Sequence, residues 1–552
     1  MENVFERIVS RRIGQVGFLL AFCFLVFFVN LGRWDIWNPD EPRYAMVAKE
    51  MVDGGDWILM HLNGRNYAIK PPLFFWLIGF SSYLWKGFTS FSIRFPAALF
   101  GTLTVLLTFL MGKQIYGSRT GFISGLVLAT SVEFAYLSAR ANTDTTLTFF
   151  TTASLFCFFR WFQNRREEGS GKRSTTGLLI YGFYMSMALA TLVKGPVGFL
   201  LPLLVSLLYL AVQKDWKGVR EMKLLPGMLL MTAVVLSWYA PAVWKGGREF
   251  FNQSLGSHTI DRYFGGWSKV RPFYYYLYNF PVDFLPWSLF LPAALVYGFS
   301  REAFEKRKEF LFLVTWFVVI FLFFSLSKGK RPLYLLPLYP AASLVIGKLW
   351  DDLISIRMKR FRHEWVTIPL YGFMGLTLLA GAAIPWVVSV KLPSYLSYSL
   401  PIAFLMVGGS LVLFILYRFR NYGAILFMII GMVAGGFFYT SRVVFPLINP
   451  YKSARYISEE VKSRILPGER LGIYRDLGSA PYNFYTGIVP ILELDKKEDL
   501  FHFLQSSGRV FCFLRVGDFD SFQRADGWPK VHLIARRKVG SNDVVLISNQ
   551  NF

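Results

Sequence analysis

Charge, cysteine and histidine are all scarce in this 552-residue chain. Only 17% of its residues are Asp, Glu, Lys or Arg, against roughly 25% in a typical soluble domain. So few charges cannot coat a globule of this length, which excludes a soluble protein. The three cysteines, Cys23, Cys157 and Cys512, lie far apart, two of them in apolar runs. No disulfide framework or zinc ribbon follows from that spacing. The five histidines (His61, His258, His363, His502 and His532) show no close ligand spacing. A P-loop, a strand–helix G-x-G-x-x-G and an H-E-x-x-H are also missing, which disfavours a nucleotide-driven pump. No internal repeat stands out. The first apolar run has no A-x-A-like cleavage site behind it and is expected to remain as an uncleaved helix.

What the chain has in abundance is apolar length. Runs able to span a bilayer need roughly 17–25 residues. Thirteen are expected, near 14–31, 92–111, 120–137, 144–162, 177–193, 195–212, 225–243, 276–300, 310–326, 333–350, 366–390, 400–417 and 422–445. The net charge of +24 comes mostly from short segments between these runs, where positives orient helices and meet anionic headgroups. Nucleic acid is therefore not an expected partner; membrane lipid is. With the N-terminus inside, the inside segments 1–13, 112–119, 163–176, 213–223, 301–309, 351–365 and 418–421 hold 23 Lys/Arg in 74 residues, and the outside loop 32–91 holds 6 in 60. That asymmetry fits one orientation, and thirteen spans put the C-terminus outside.

Two outside loops are long, 32–91 and 244–275. The first contains an expected surface helix, Glu41 to Val52, and an aromatic stretch, Pro71–Trp85, short for a span and suited to the interface. After about residue 446 charged residues return. Lys452–Arg464 and Lys497–Leu504 read as helices, and Leu471–Tyr474, Val489–Leu494, Val510–Leu514, Val531–Ile534 and Val544–Ile547 as strands. The expected fold is a polytopic α-helical membrane protein, residues 1–445, followed by a small α/β domain, 446–552.

Polar groups that a bilayer should have excluded carry the functional signal, and they collect at the outer rim. Asn38-Pro39-Asp40-Glu41-Pro42-Arg43-Tyr44-Ala45 follows the first span. Asp40 can cap the next helix, and taken alone that role is favoured; a carboxylate shielded from bulk water can also serve as a general base. Tyr67-Ala68-Ile69-Lys70-Pro71-Pro72 holds a lysine in extended geometry, equally suited to anchoring on a lipid phosphate or binding a substrate phosphate. Arg140-Ala141-Asn142-Thr143-Asp144 opens the fourth span, where Asp144 can cap the helix or pair with Arg140. Lys194-Gly195-Pro196 is similar in character. His258, Asp261 and Arg262 lie in the second long loop. Ser327-Lys328-Gly329-Lys330-Arg331-Pro332-Leu333-Tyr334 keeps three positives on the side where topology disfavours them, which suggests an anionic ligand. A transporter would place such charges near the midplane; a rim of charge suits an enzyme acting on lipid phosphates.

These motifs resemble those of the GT-C membrane glycosyltransferases, most of all the undecaprenyl phosphate–aminoarabinose:lipid A aminoarabinosyltransferases (ArnT), relatives of the protein O-mannosyltransferases. The similarity extends over the whole chain. Asp40-Glu41-Pro42-Arg43-Tyr44-Ala45 is shared widely in the superfamily; Tyr67-x-x-Lys70-Pro71 and Ser327-Lys328-Gly329-Lys330-Arg331-Pro332-x-Tyr334 narrow the resemblance to the aminoarabinosyl branch. It implies an inverting transfer of 4-amino-4-deoxy-L-arabinose from undecaprenyl phosphate to lipid A, in the bacterial inner membrane with the site and the C-terminal domain facing the periplasm, and resistance to polymyxin and cationic peptides. It implies Asp40 as catalytic base, Arg43 and Tyr44 holding it and shaping the donor cavity, and Tyr67, Lys70, Arg262 and Tyr334 around the carrier phosphate. Asp144 would be a second acid facing the sugar. Family members often carry an acid before the lysine that binds a divalent metal together with a loop histidine. Here Ile69 stands there, with His258 at the histidine position. One imidazole makes a poor isolated site, since zinc takes three or four protein ligands, so no essential metal is expected. The alternatives are transfer of another sugar to protein or polysaccharide, or a lipid or sugar flippase.

Overall fold

Proline and threonine decide where the apolar runs become continuous helices. The computed structural model describes residues 12–166, 173–254, 270–358, 361–524 and 527–550. Among these, eight helices are long and apolar enough to cross a membrane: Ser90–Ile115, Gly177–Lys194, Leu224–Asn252, Arg307–Leu326, Pro332–Ile354, Glu364–Lys391, Pro393–Arg418 and Tyr422–Lys452. Shorter apolar helices cover Ile13–Phe28, Leu73–Leu84 and Val197–Val212. The thirteen expected runs are all helical, but 14–31 and 195–212 form only the shorter helices Ile13–Phe28 and Val197–Val212, and three more depart from a simple span. Run 120–137 is two helices, Ser118–Ala129 and Val132–Ser138, bent by 72°. Run 276–300 is broken into Tyr275–Asp283, Trp287–Leu289 and Leu291–Gly298; Pro281, Pro286 and Pro292 each remove a backbone donor there. The two breaks satisfy each other, since the Val132 N–H donates to the Leu285 carbonyl at 3.1 Å and the Trp287 indole to Thr130 Oγ1 at 3.1 Å. Run 144–162 lies in one 24-residue helix, Thr143–Arg166, whose threonines make it too polar for the apolar set. Thr148 and Thr152 return their hydroxyls to the carbonyls four residues back, each at 2.7 Å, which satisfies those two donors within the helix.

Close approach fixes the turn at Lys194. Gly195 has φ +79°, and a Cβ on Gly198 would lie 2.2 Å from the Ala190 carbonyl carbon. Only glycine lets Gly177–Lys194 and Val197–Val212 reverse so tightly.

Contacts divide the chain into two compact units. One is Met1–Asn30, Ile69–Phe74 and Phe95–Thr440, holding most of the membrane helices; the other joins Leu31–Ala68, Phe75–Arg94 and Ser441–Phe552. The second therefore takes most of the first outside loop together with the C-terminal region. Within it, helix Asp40–Gly54 precedes a hairpin of β1 (His61–Leu62) and β2 (Arg65–Asn66). Strands β3 (Arg470–Tyr474), β4 (Leu492–Leu494), β5 (Val510–Arg515), β6 (His532–Val539) and β7 (Asn542–Ser548) form a five-stranded sheet in the order β4-β3-β5-β7-β6. β3 runs parallel to both β4 and β5, and β7 antiparallel to β5 and β6. Both faces are covered: Leu471, Ile473, Phe511 and Phe513 pack with Ile457 and Val461, while Cys512, Leu514 and Ile547 pack with Leu500 and Phe519. Burial on both faces is why β5 reads Val-Phe-Cys-Phe-Leu without alternation. Helices Ala480–Thr486 and Val516–Phe522 were not expected. Seven residues each, they are too short to display a period.

Candidate active site

The acidic motif separates into two carboxylates with different surroundings. Asp40 opens helix Asp40–Gly54, with Pro39 in the N-cap position. The capping role that the sequence favours is thus corrected: Asp40 lies inside the first turn, and its carboxylate accepts from Arg43 one turn on, with the side chains 15% and 28% exposed. Burial alone would lower the Arg43 ionisation, but Tyr67, Tyr44 and Asp40 outweigh it and hold the guanidinium above its ordinary value. Tyr44 and Tyr67 bracket Phe75, with ring centres 5.9 and 5.7 Å away.

Glu41 is the structural member of the pair. It and Arg94 are 1% and 0% exposed. Arg94 donates to Glu41 from Nε at 2.7 Å and Nη2 at 3.0 Å. The same guanidinium donates to the carbonyls of Leu31, Trp34 and Asp35 at 3.0, 2.8 and 2.7 Å and stacks over the Trp34 ring at 4.4 Å. Glu41 also accepts the Trp37 N–H at 3.1 Å. A fully buried charge needs such complete pairing, and the chain entering the Asp40 helix is built around it.

A second cluster lies in the unit that holds most of the membrane helices. Helix Thr143–Arg166 is capped by Asn142, whose Oδ1 accepts from the N–H groups of Asp144 and Thr145 at 2.9 and 3.0 Å. Asp144 is therefore neither the cap nor the partner of Arg140: it pairs with Lys194, the side chains 4% and 7% exposed. The Lys194 ammonium in turn lies 4.5 Å from the centre of the Tyr334 ring, so Asp144, Lys194 and Tyr334 converge. Arg140 donates instead to Tyr136 Oη at 2.5 Å. Glu133 shares the electrostatic surroundings of Arg140, Asp144, Asp283 and Arg331. Of the three positives in 328–331, Lys330 is buried and donates to the backbone carbonyls of Ser327 and Arg271. It holds backbone, whereas Lys328 is exposed and Arg331 half-buried. Lys70 is half-buried and belongs to the same unit, in Ile69–Phe74. His258 and Arg262 lie outside the described residues.

Sequence reasoning missed Arg94 and the pairing role of Lys194. An arginine inside an apolar helix and a lysine at a helix end facing outward were the available signals. For a divalent metal the fit is poor. Ile69 offers no ligand atom, and among the described residues no three His, Cys, Asp or Glu side chains gather closely enough to hold one.

Residues 69–240 match the family model described as dolichyl-phosphate-mannose-protein mannosyltransferase. A protein of Pseudomonas fluorescens (strain Pf0-1) named undecaprenyl phosphate-alpha-4-amino-4-deoxy-L-arabinose arabinosyl transferase 2 is 30% identical over 409 residues, spanning 73% of this chain and 71% of that one. The arabinosyl transferase of Pseudomonas aeruginosa (strain UCBPP-PA14) is 32% identical over 346 residues, 61% of this chain and 60% of its own. The crystal structure of ArnT from Cupriavidus metallidurans bound to undecaprenyl phosphate shares the fold, with a TM-score of 0.79, 20% identity, and coverage of 98% of this chain and 99% of that one. A membrane-helical body of the GT-C type joined to a small α/β region, with relatives matched over most of their length, places this chain in the undecaprenyl phosphate-4-amino-4-deoxy-L-arabinose arabinosyl transferase family of multi-pass membrane glycosyltransferases.

Proposed function

We propose that this enzyme moves 4-amino-4-deoxy-L-arabinose from undecaprenyl phosphate to lipid A at the periplasmic face of the inner membrane. The observation that carries the reading is the match to the Pseudomonas fluorescens transferase over 71% of its length. The positive-inside count supports the orientation.

In the proposed step an acceptor hydroxyl attacks the anomeric carbon of the sugar from the face opposite the phosphate. The bond to the phosphate oxygen breaks, the configuration inverts, and the hydroxyl proton passes to the Asp40 carboxylate. Arg43 keeps that carboxylate oriented, and Tyr44 shapes the donor cavity beside it. The family resemblance assigns Tyr67, Lys70, Arg262 and Tyr334 to the carrier phosphate, with Lys70 and Arg262 as the cations that offset the charge left on it. Asp144, held by Lys194, faces the sugar. A phosphate monoester is already a good leaving group, so positioning, a base and fixed cations can supply the catalysis. The added amine would reduce the negative charge of lipid A and its attraction for cationic peptides.

The test is purified full-length enzyme in nanodiscs with undecaprenyl phosphate-linked aminoarabinose and lipid A, read by mass spectrometry of the lipid. Aminopentose-modified lipid A is expected. Donor translocated without being consumed would replace the reading with a flippase, and transfer only from a mannosyl donor would replace the sugar.

A further inference from the structure

The stretch ahead of Asp40 has little regular structure of its own, so its backbone groups need side-chain partners. Arg94 and Glu41 supply some, as described. The others come from more than 400 residues away in sequence. Asn449, in helix Phe445–Lys452, accepts through Oδ1 from the Asp35 N–H at 3.2 Å and from the Trp37 indole N–H at 3.0 Å. Tyr485, in helix Ala480–Thr486, accepts the Ile36 N–H and donates to the Ile36 carbonyl, both at 3.1 Å. Phe445 lies edge-on to Trp34 and Trp37, with ring centres 5.1 and 5.3 Å apart. Farther along the loop, Asn63 turns the β1–β2 hairpin at φ 56°. Its amide exchanges hydrogen bonds with the Ile491 backbone, accepting at 2.7 Å and donating at 2.8 Å, as a neighbouring strand would.

We infer that the C-terminal region is a positioning element for Asp40, with Tyr485 and Asn449 holding residues 35–37 in the path from which the Asp40 helix starts. Only Asn38 and Pro39 separate Trp37 from Asp40, and proline's fixed φ leaves little slack to absorb a shift. Misplacing a reacting group by about 1 Å can cost on the order of a hundredfold in rate. Burial and the nearby Asp35 push the Tyr485 hydroxyl well above its ordinary ionisation, against a smaller opposing effect of Ser453, so the donor to Ile36 persists in alkaline solution. The inference rests on reading Asp40 as the base.

The experiment compares full-length Tyr485→Phe and Asn449→Ala in nanodiscs with the same donor and lipid A. Each is expected to lower kcat about tenfold while donor KM stays within about twofold. Each is also introduced into Asp40→Asn, where it should leave the residual rate unchanged, because the group being positioned has lost its chemistry. A purely structural role would lower both backgrounds by the same factor and would overturn the inference, as would two folded variants with wild-type kcat. If one variant fails to fold, the other decides. A wild-type rate in Asp40→Asn alone would overturn the base reading first, and this inference with it.

Discussion

Asp40 and Glu41 are neighbours, and the same chemical edit at each is expected to fail in different ways. Asp40→Asn removes one charged contact with Arg43, and both partners keep some access to solvent. Partly exposed pairs contribute about 0–1 kcal/mol, so stability should change by less than that. Loss of a general base, by contrast, costs roughly 10²–10⁴-fold in rate. Glu41→Gln removes the charge opposite a guanidinium that is 0% exposed. Breaking a buried pair from one side costs about 3–5 kcal/mol. Arg94 keeps its three carbonyl acceptors, which favours the lower end. For a cooperative unit of this size the change corresponds to a fall in Tm of roughly 5–15 °C. The assay is thermal unfolding of full-length protein in detergent, paired with transfer rates normalised to the folded fraction. Asp40→Asn should unfold at the wild-type temperature and keep only a small residual rate; Glu41→Gln should unfold early yet lose far less activity per folded molecule at low temperature. Normal transfer by Asp40→Asn, or a Glu41→Gln protein with wild-type Tm and no activity, would refute the division of roles.

Lys194→Met should destabilise the membrane helices by about 3–5 kcal/mol because it strands buried Asp144; adding Asp144→Asn should restore Tm but not transfer, whereas no recovery in the double variant would argue against the pairing. Lys70→Ala and Arg262→Ala should each cost about 1.5–3 kcal/mol, one to two decades in kcat/KM for the polyprenyl donor, and unchanged donor kinetics in both would place the phosphate elsewhere. Burial alone would raise the Glu469 carboxyl, but hydrogen bonds from Arg509 and the Leu466 N–H hold it below the ordinary value. Its contribution to stability is therefore present above the unfolded pKa and lost as pH falls through the folded one, so the Tm gap between wild type and Glu469→Gln should narrow on acidification. A gap that widens in acid would contradict that sign. A reporter active only in the periplasm, fused after Phe552, should be active; activity of a cytoplasm-only reporter there would mean that one span was miscounted.

The motif 38–45 was legible in the sequence because polar residues at a membrane rim are conspicuous against an apolar background. Which acid is exposed was not, because Asp40 and Glu41 differ only in what reaches them, and the deciding group, Arg94, lies 53 residues on from Glu41. The cap at Thr143 was misassigned for a related reason. Asn and Asp are both good caps, and only the arrival of Lys194 beside Asp144 leaves that role to Asn142. The breaks at 130–131 and 284–286 fell inside apolar runs, where composition reports the environment and says little about continuity of the helix.

Composition alone determined that this chain is a multi-pass membrane protein, and the spacing of apolar runs located its helices, since the bilayer acts on each segment separately. The strands of the C-terminal region were likewise visible as local runs of β-branched and aromatic residues. The grouping of the first outside loop with the C-terminal region was decided only in three dimensions. It depends on single hydrogen bonds such as Ile36 to Tyr485 and Asn63 to Ile491, 449 and 428 residues apart. Such contacts leave no periodic trace, because one polar side chain meeting one backbone group requires no pattern in the residues between them.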